Sequence, residues 1–246
     1  MCIRDRDSER TMCTFLGTAG KINESDVNSD VIKKSELILL EGYLWDEGEP
    51  KKAFEKAIQS ANFSYGKDIF ISLDCAASEF FDGKNYILNT TDETFSSDGL
   101  IDYYVKLIKK FDIKSIEDPL HDDDWDGWIK LTRELNGVQI VGDDIFVTQR
   151  ELLKKGIDSH AGNAILIKPN QVGTLTESLE SIQLAKENKF NTIISHRSGE
   201  TEDPFIADLA VGVDAKQIKT GAPSRSDRNS KYNRLLIIEN ELYPKK

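Results

Sequence analysis

Six short apolar runs, rich in Ile and Val, recur along this chain, and an ionisable residue stands at or just after the end of each. The runs are 69–73, 113–116, 138–141, 164–167, 192–194 and 217–218; the ionisable residues are Asp74, Glu117, Asp143, Lys168, His196 and Lys219. Successive members of that series are 43, 26, 25, 28 and 23 residues apart. One β/α unit takes about this length, and the longer first gap holds an additional segment, 79–98. Short apolar runs bounded by polar residues read as strands buried on both faces. Between them, 100–111, 125–135 and 173–187 carry the i, i+3, i+4 apolar spacing of amphipathic helices. Residues 51–61 follow Pro50, a good first-turn residue. Thr148 is placed to cap a helix through Lys155, which Gly156 would end. Stretches 204–213 and 226–239 complete the helical set, and 37–40 is a candidate seventh strand. Strand alternating with helix is the signature of parallel β/α units, and 246 residues suit a (β/α) barrel.

In such a barrel the carboxyl ends of the strands converge on one face, where active sites sit. A polar residue after a single buried strand is ordinary. Six in a periodic series bring three carboxylates, two lysines and a histidine to one mouth. Three carboxylates from different strands suit an octahedral Mg²⁺ completed by water and substrate oxygens. Two lysines suit an anionic substrate, and one of them suits a general base, since a lysine beside another cation loses proton affinity. The chemistry predicted is abstraction of a proton next to a carboxylate, with the metal stabilising the resulting dianion.

Charge and composition narrow the field further. Lys plus Arg is 32 against 43 Asp plus Glu, a net charge of −11, which argues against nucleic acid as a main ligand. Cys2, Cys13 and Cys75 form neither a disulfide framework nor a metal-ligand spacing. No apolar run approaches the ~20 residues of a membrane span. These features predict a soluble cytoplasmic protein. The opening, through Lys34, is polar and patternless, with neither an apolar signal core nor a small-residue cleavage site. Residues 1–34 are expected to be a disordered or non-native leader, and 35–246 one domain.

The segments SLDCAASEF (72–80), SIEDPL (115–120), DDDW (122–125), VGDDIFVT (141–148), ILIKPNQVGTLTE (165–177), SHRSGETED (195–203) and IKTGAPSRSDR (218–228) resemble enolase, the phosphopyruvate hydratase family. The resemblance runs from about Asp68 to Leu242. It implies a TIM-type barrel of the enolase superfamily and Mg²⁺-dependent interconversion of 2-phosphoglycerate with phosphoenolpyruvate and water, in glycolysis. It implies that Asp74, Glu117 and Asp143 hold the metal and that Lys168 takes the C2 proton. It further implies that His196, Arg197 and Ser198 bind substrate, the latter two at the phosphate, and that Lys219 faces the substrate carboxylate. A planar guanidinium at Arg197 matches phosphate oxygens, in agreement with that role. Full-length members self-associate, which implies a homodimer.

Residues 1–67 do not resemble the family's amino-terminal domain or its first two barrel strands. The barrel expected is therefore incomplete, comprising the last six β/α units. The family's general acid is a glutamate in a Gly-Asp-Glu-Gly-Gly motif. The nearest text here is Trp45–Glu49, and its Glu47 lies only 27 residues before Asp74, so the acid role does not transfer to it. Two classes of function follow: an enolase-type lyase impaired by loss of its amino-terminal half, or a non-catalytic metal-binding or interaction remnant. Another dehydratase or ammonia-lyase of the superfamily is disfavoured by the pairing of SHRSGETED with IKTGAP.

Overall fold

Short apolar runs form strands when both of their faces can be covered. In the computed structural model, which describes residues 2–4, 10–12, 22–33, 49–64, 66–88 and 92–244, all six runs do so. They are β3 (Ile71–Asp74), β6 (Ile113–Glu117), β7 (Gln139–Gly142), β8 (Ala164–Ile167), β9 (Asn191–Ser195) and β10 (Gln217–Lys219). They make one parallel sheet in the order β10-β9-β8-β7-β6-β3. Every residue of the inner strand β8 is buried, whereas the outermost strands β3 and β10 keep partly exposed positions.

The chain divides into two units, Met1–Ile69 and Phe70–Lys246. In the first, β1 (Cys2–Arg4) and β2 (Arg10–Met12) pair antiparallel. A short helix, α1 (Ser29–Lys33), precedes α2 (Glu49–Ser60), which carries Pro50 in its first turn and buries Ala53, Ala57 and Ile58. The candidate strand 37–40, Glu47 and about half of the expected leader lie outside the described residues.

In the second unit the expected additional segment contains a hairpin, β4 (Tyr86–Leu88) with β5 (Glu93–Phe95). Helices α3 (Ser97–Phe111), α4 (Trp125–Glu134), α5 (Arg150–Ser159), α6 (Pro169–Val172), α7 (Leu175–Glu187), α8 (Phe205–Gly212) and α9 (Ser226–Leu242) separate and follow the strands. Ile116, Ile140, Ile165, Ile167 and Ile194 pack against helix residues such as Trp128, Leu131, Leu153 and Ala185. Val141, Ala164, Leu166 and Ile193 form a second cluster. Residues two apart on a strand share a face, so the two clusters sit on opposite sides of one sheet.

The sheet is curled into an incomplete barrel. Five strand spacings would set β3 and β10 about 24 Å apart in a flat sheet. Yet Lys219 Nζ at the end of β10 lies 2.7 Å from Asp74 Oδ2 at the end of β3. Gln139 of β7 and Gln217 of β10 also exchange hydrogen bonds, each at 3.0 Å. The concave side is a trough of 560 Å³ whose lining includes Ser115, Gln139, Val141 and Ile193, together with Glu117 and Lys219 at strand ends.

Two sequence expectations are corrected around α5. Gly156 does not end this helix, which continues to Ser159 and stops at His160 in the left-handed conformation. Gly156 is instead a point of close approach: a Cβ there would lie 2.4 Å from Phe146 Cε1 and 2.7 Å from its Cζ. Phe146 is fully buried, so its ring has nowhere to go. Gly156→Ala is expected to destabilise the protein by about 1–3 kcal/mol through overpacking, read in a urea melt. Unchanged stability would mean that the ring has free space. The second correction is that Thr148 does not cap α5. Gln149 occupies that position, and the Thr148 hydroxyl is committed elsewhere, to the site described next.

Candidate active site

Parallel pairing sets the carboxylates side by side. Asp74 is in register with Glu117, and Glu117 with Val141, two residues before Asp143. Lys168 follows β8, in extended conformation before Pro169, which starts α6. His196 follows β9, its backbone N–H donating to the Lys219 carbonyl at 2.9 Å. All six strand-end residues therefore lie at the carboxyl end of one curled sheet.

Lys219 bridges two of the carboxylates, with Nζ 2.7 Å from Asp74 Oδ2 and 2.7 Å from Glu117 Oε1. Lys168 Nζ pairs with Asp143 Oδ2. Burial pushes the Glu117 carboxyl above its ordinary range; Lys219 opposes that rise, while the negative charges of Asp74 and Asp143 add to it. Burial works to depress the Lys219 ammonium, but Glu117 and Asp74 outweigh it and hold the group above its usual value. The carboxylates thus feel one another as well as the lysines. Three carboxylates against two ammonium groups leave a net negative charge, and their hard oxygens match what a divalent cation takes.

A different acidic group is the tightest among the described residues. Asp118, Asp143 and Asp144 bring oxygens within 4.8 Å of one another. Asp118, however, has both oxygens engaged: Oδ1 accepts from the Asp143 N–H at 2.8 Å and Oδ2 from the Asp144 N–H at 3.0 Å. Burial raises its carboxyl to about 8, against those two donors. It braces the loop that carries Asp143.

Asp143 is held from a second direction by residues whose part in the site the linear text does not show. Val147 (φ 41°) and Thr148 (φ 61°) are β-branched residues in the left-handed region, a strain of roughly 1–3 kcal/mol each. The turn presents the buried Thr148 hydroxyl, which donates to Gln171 Oε1 at 2.6 Å and accepts from the Lys168 backbone N–H at 2.9 Å. Gln171 Nε2 then reaches Asp143 Oδ1 at 3.4 Å. One strained turn therefore sets both the Lys168 backbone and the Asp143 carboxylate. The linear signals for Gln171 are its place three residues after Lys168 and its membership of the ILIKPNQVGTLTE segment.

The SHRSGETED segment is a loop between β9 and α8. Arg197 and Ser198 are exposed on it, and Arg197 Nη1 donates to Asn170 Oδ1 at 3.3 Å. His196 is half-buried, and its Nδ1 is buried without a hydrogen-bond partner, as is the Thr220 hydroxyl beside Lys219. Burial depresses the His196 imidazolium, and Arg228, Lys219 and Lys231 lower it further. A neutral imidazole facing cations suits an anionic ligand. Trp128 is fully buried in the core and its indole N–H donates to the His121 carbonyl at 3.1 Å, so it packs rather than faces the mouth.

Comparison with known proteins agrees with this geometry. The family described as "Enolase, C-terminal TIM barrel domain" matches residues 42–245. A curated relative, Enolase of Natranaerobius thermophilus, is 49% identical over 206 residues, covering 82% of this chain and 48% of that protein. The chain thus spans about half the length of that relative. Among the described residues, no helix is long and apolar enough to cross a membrane.

Proposed function

The chain belongs to the enolase family through its C-terminal barrel domain, and from that premise we propose that it binds 2-phosphoglycerate and catalyses proton removal at C2, the first half of dehydration to phosphoenolpyruvate, as a step of glycolysis in the cytoplasm. The observation that carries this reading is the pairing of Lys168 and Lys219 with three carboxylates at adjacent strand ends.

Asp74, Glu117 and Asp143 are the proposed ligands of one Mg²⁺. The choice over Asp118 rests on what each carboxylate already binds. Asp118 accepts two backbone N–H groups that cannot leave, whereas the partners of the other three include flexible ammonium groups that a divalent cation outcompetes. When bound, the cation supplies charge neutralisation for the substrate carboxylate and for the dianion derived from it. Lys168 removes the C2 proton, with the Thr148 hydroxyl fixing its backbone. Lys219 faces the substrate carboxylate and shares the load of the developing negative charge. Arg197 and Ser198 grip the phosphate, the guanidinium by a two-pronged contact. His196 contributes a further polar contact from the end of β9. In the full-length family a homodimer is the expected assembly.

A coupled assay for phosphoenolpyruvate, run across a magnesium titration, tests the reading. The metal assignment has its own test. Asp143→Asn removes one charged oxygen and is expected to weaken Mg²⁺ binding by about 10-fold or more in calorimetry. Asp143 is buried and paired with Lys168, so a thermal melt run alongside separates a lost metal ligand from a lost fold. Unaltered Mg²⁺ affinity would remove Asp143 from the ligand set.

A further inference from the structure

A fully buried lysine stands behind the substrate-facing loop, in a helix that presents mostly polar residues. Lys231, on α9, has a side-chain exposure of 0%. Burying an ammonium is costly unless it is fully partnered. Its Nζ donates to the backbone carbonyl of Thr201 and, at 2.7 Å, to that of Asp227, and it lies 3.9 Å from Glu200 Oε1. Thr201 and Glu200 belong to the loop after β9, and Asp227 to the first turn of α9. Glu200 in turn ties the loop to itself: its Oε2 accepts from the Arg197 N–H at 3.3 Å and its Oε1 from the Thr201 N–H at 3.0 Å.

We propose that Lys231 is a positioning residue that locks the Arg197–Ser198 loop onto α9, and that its charge neutralises Glu200, the carboxylate holding the Arg197 backbone. The inference deepens the reading of Arg197 and Ser198 as the phosphate grip and rests on it. Glu200 is useful as an acceptor for two loop N–H groups, but its negative charge lies beside a place meant for an anion. A buried ammonium 3.9 Å away removes that conflict while leaving both hydrogen bonds in place. The same cation adds positive potential beneath the loop, from a position that solvent does not reach. Because α9 begins at Ser226, shortly after the Lys219–Thr220–Gly221 turn, the lock also ties the phosphate end of the site to the carboxylate end.

The experiment is a two-residue cycle with two independent readouts. In Lys231→Met the Arg197 and Thr201 amides are expected to exchange with deuterium about 10-fold faster or more, while β9 amides keep their protection. Binding of 2-phosphoglycerate, measured by calorimetry at saturating Mg²⁺, is expected to weaken by about 10–100-fold, the usual cost of losing such a support. Mg²⁺ affinity in the absence of substrate is expected to stay within about twofold. Adding Glu200→Gln to Lys231→Met removes the stranded carboxylate and is expected to recover part of the lost substrate affinity. A merely structural lysine gives no such rescue. Unchanged loop exchange in Lys231→Met, or a double variant whose loss is the sum of the two single losses, would overturn the proposal. Should Lys231→Met fail to fold, Glu200→Ala, at a half-buried loop position, carries the exchange arm, and unchanged Arg197 and Thr201 exchange there counts against the lock. A parent chain that binds Mg²⁺ but no 2-phosphoglycerate would sink the substrate reading alone, with the exchange data still deciding the lock.

Discussion

Lys168→Ala is expected to lower the rate of solvent exchange at C2 of 2-phosphoglycerate by about 10²–10⁴-fold, the range typical of a lost general base. The Lys168 side chain is 14% exposed and meets Asp143, so the ammonium sits against the carboxylate proposed to hold the metal. The backbone at Lys168 is fixed by the strained Val147–Thr148 turn, so truncation to Ala leaves that scaffold standing. Mg²⁺ binding is therefore expected to survive the substitution. Exchange followed by NMR in deuterated buffer checks the outcome, and an Ala variant that exchanges as fast as its parent would assign the base elsewhere.

A protein of these 246 residues is expected to exchange the C2 proton far more readily than it forms phosphoenolpyruvate. Expelling the C3 hydroxyl requires a proton delivered to a poor leaving group. The strand-end set contains a base, a second ammonium, carboxylates and an imidazole, and Glu47, in the text nearest to the family's donor motif, lies only 27 residues before Asp74, so the acid role is not assigned to it. Loss of one acid–base group raises a barrier by roughly 3–5 kcal/mol, at about tenfold in rate per 1.4 kcal/mol. Among the described residues, part of the mouth is also exposed to water. The Asp74 side chain is 52% exposed and Arg197 is exposed, so solvent screens the charges that would stabilise the dianion. Initial rates of phosphoenolpyruvate formation at saturating Mg²⁺ and substrate give the answer. Turnover at ~10 s⁻¹ or more, ordinary for an enzyme, would mean that the chain carries a working acid.

The strands were legible because burial on both faces leaves a compositional mark. Ala164–Ile167 reads as four apolar residues and is buried at all four. The strand-end groups were legible for a related reason. A parallel sheet aligns its carboxyl ends, so residues some 25 apart become neighbours, and their spacing is visible in a linear text. Where the reading slipped, packing had overruled local chemistry. Gly156 carries the look of a helix stop, yet it lies inside α5 because the Phe146 ring needs the missing Cβ. Thr148 has the residue type of a cap, yet its hydroxyl serves Lys168 and Gln171.

The sequence alone determined the fold class and the identity of the strand-end groups, since both follow from periodic patterns that repeat along the chain. Tertiary structure alone decided which of those groups meet. Lys219 bridges Asp74 and Glu117 only because the sheet curls, and curl is a property of strand twist summed over neighbours, not of any one segment. It likewise decided that Asp118 braces rather than stands free, because its two backbone donors come from the loop after β7, 25 and 26 residues away in the chain. Lys231 gives the sharpest case. In the linear text it is one charged residue on a polar helix, and a lysine is among the residues least often buried. Only the packing of α9 against the loop after β9 turns it into an ammonium enclosed by backbone carbonyls, because enclosure depends on distant segments that no local pattern encodes.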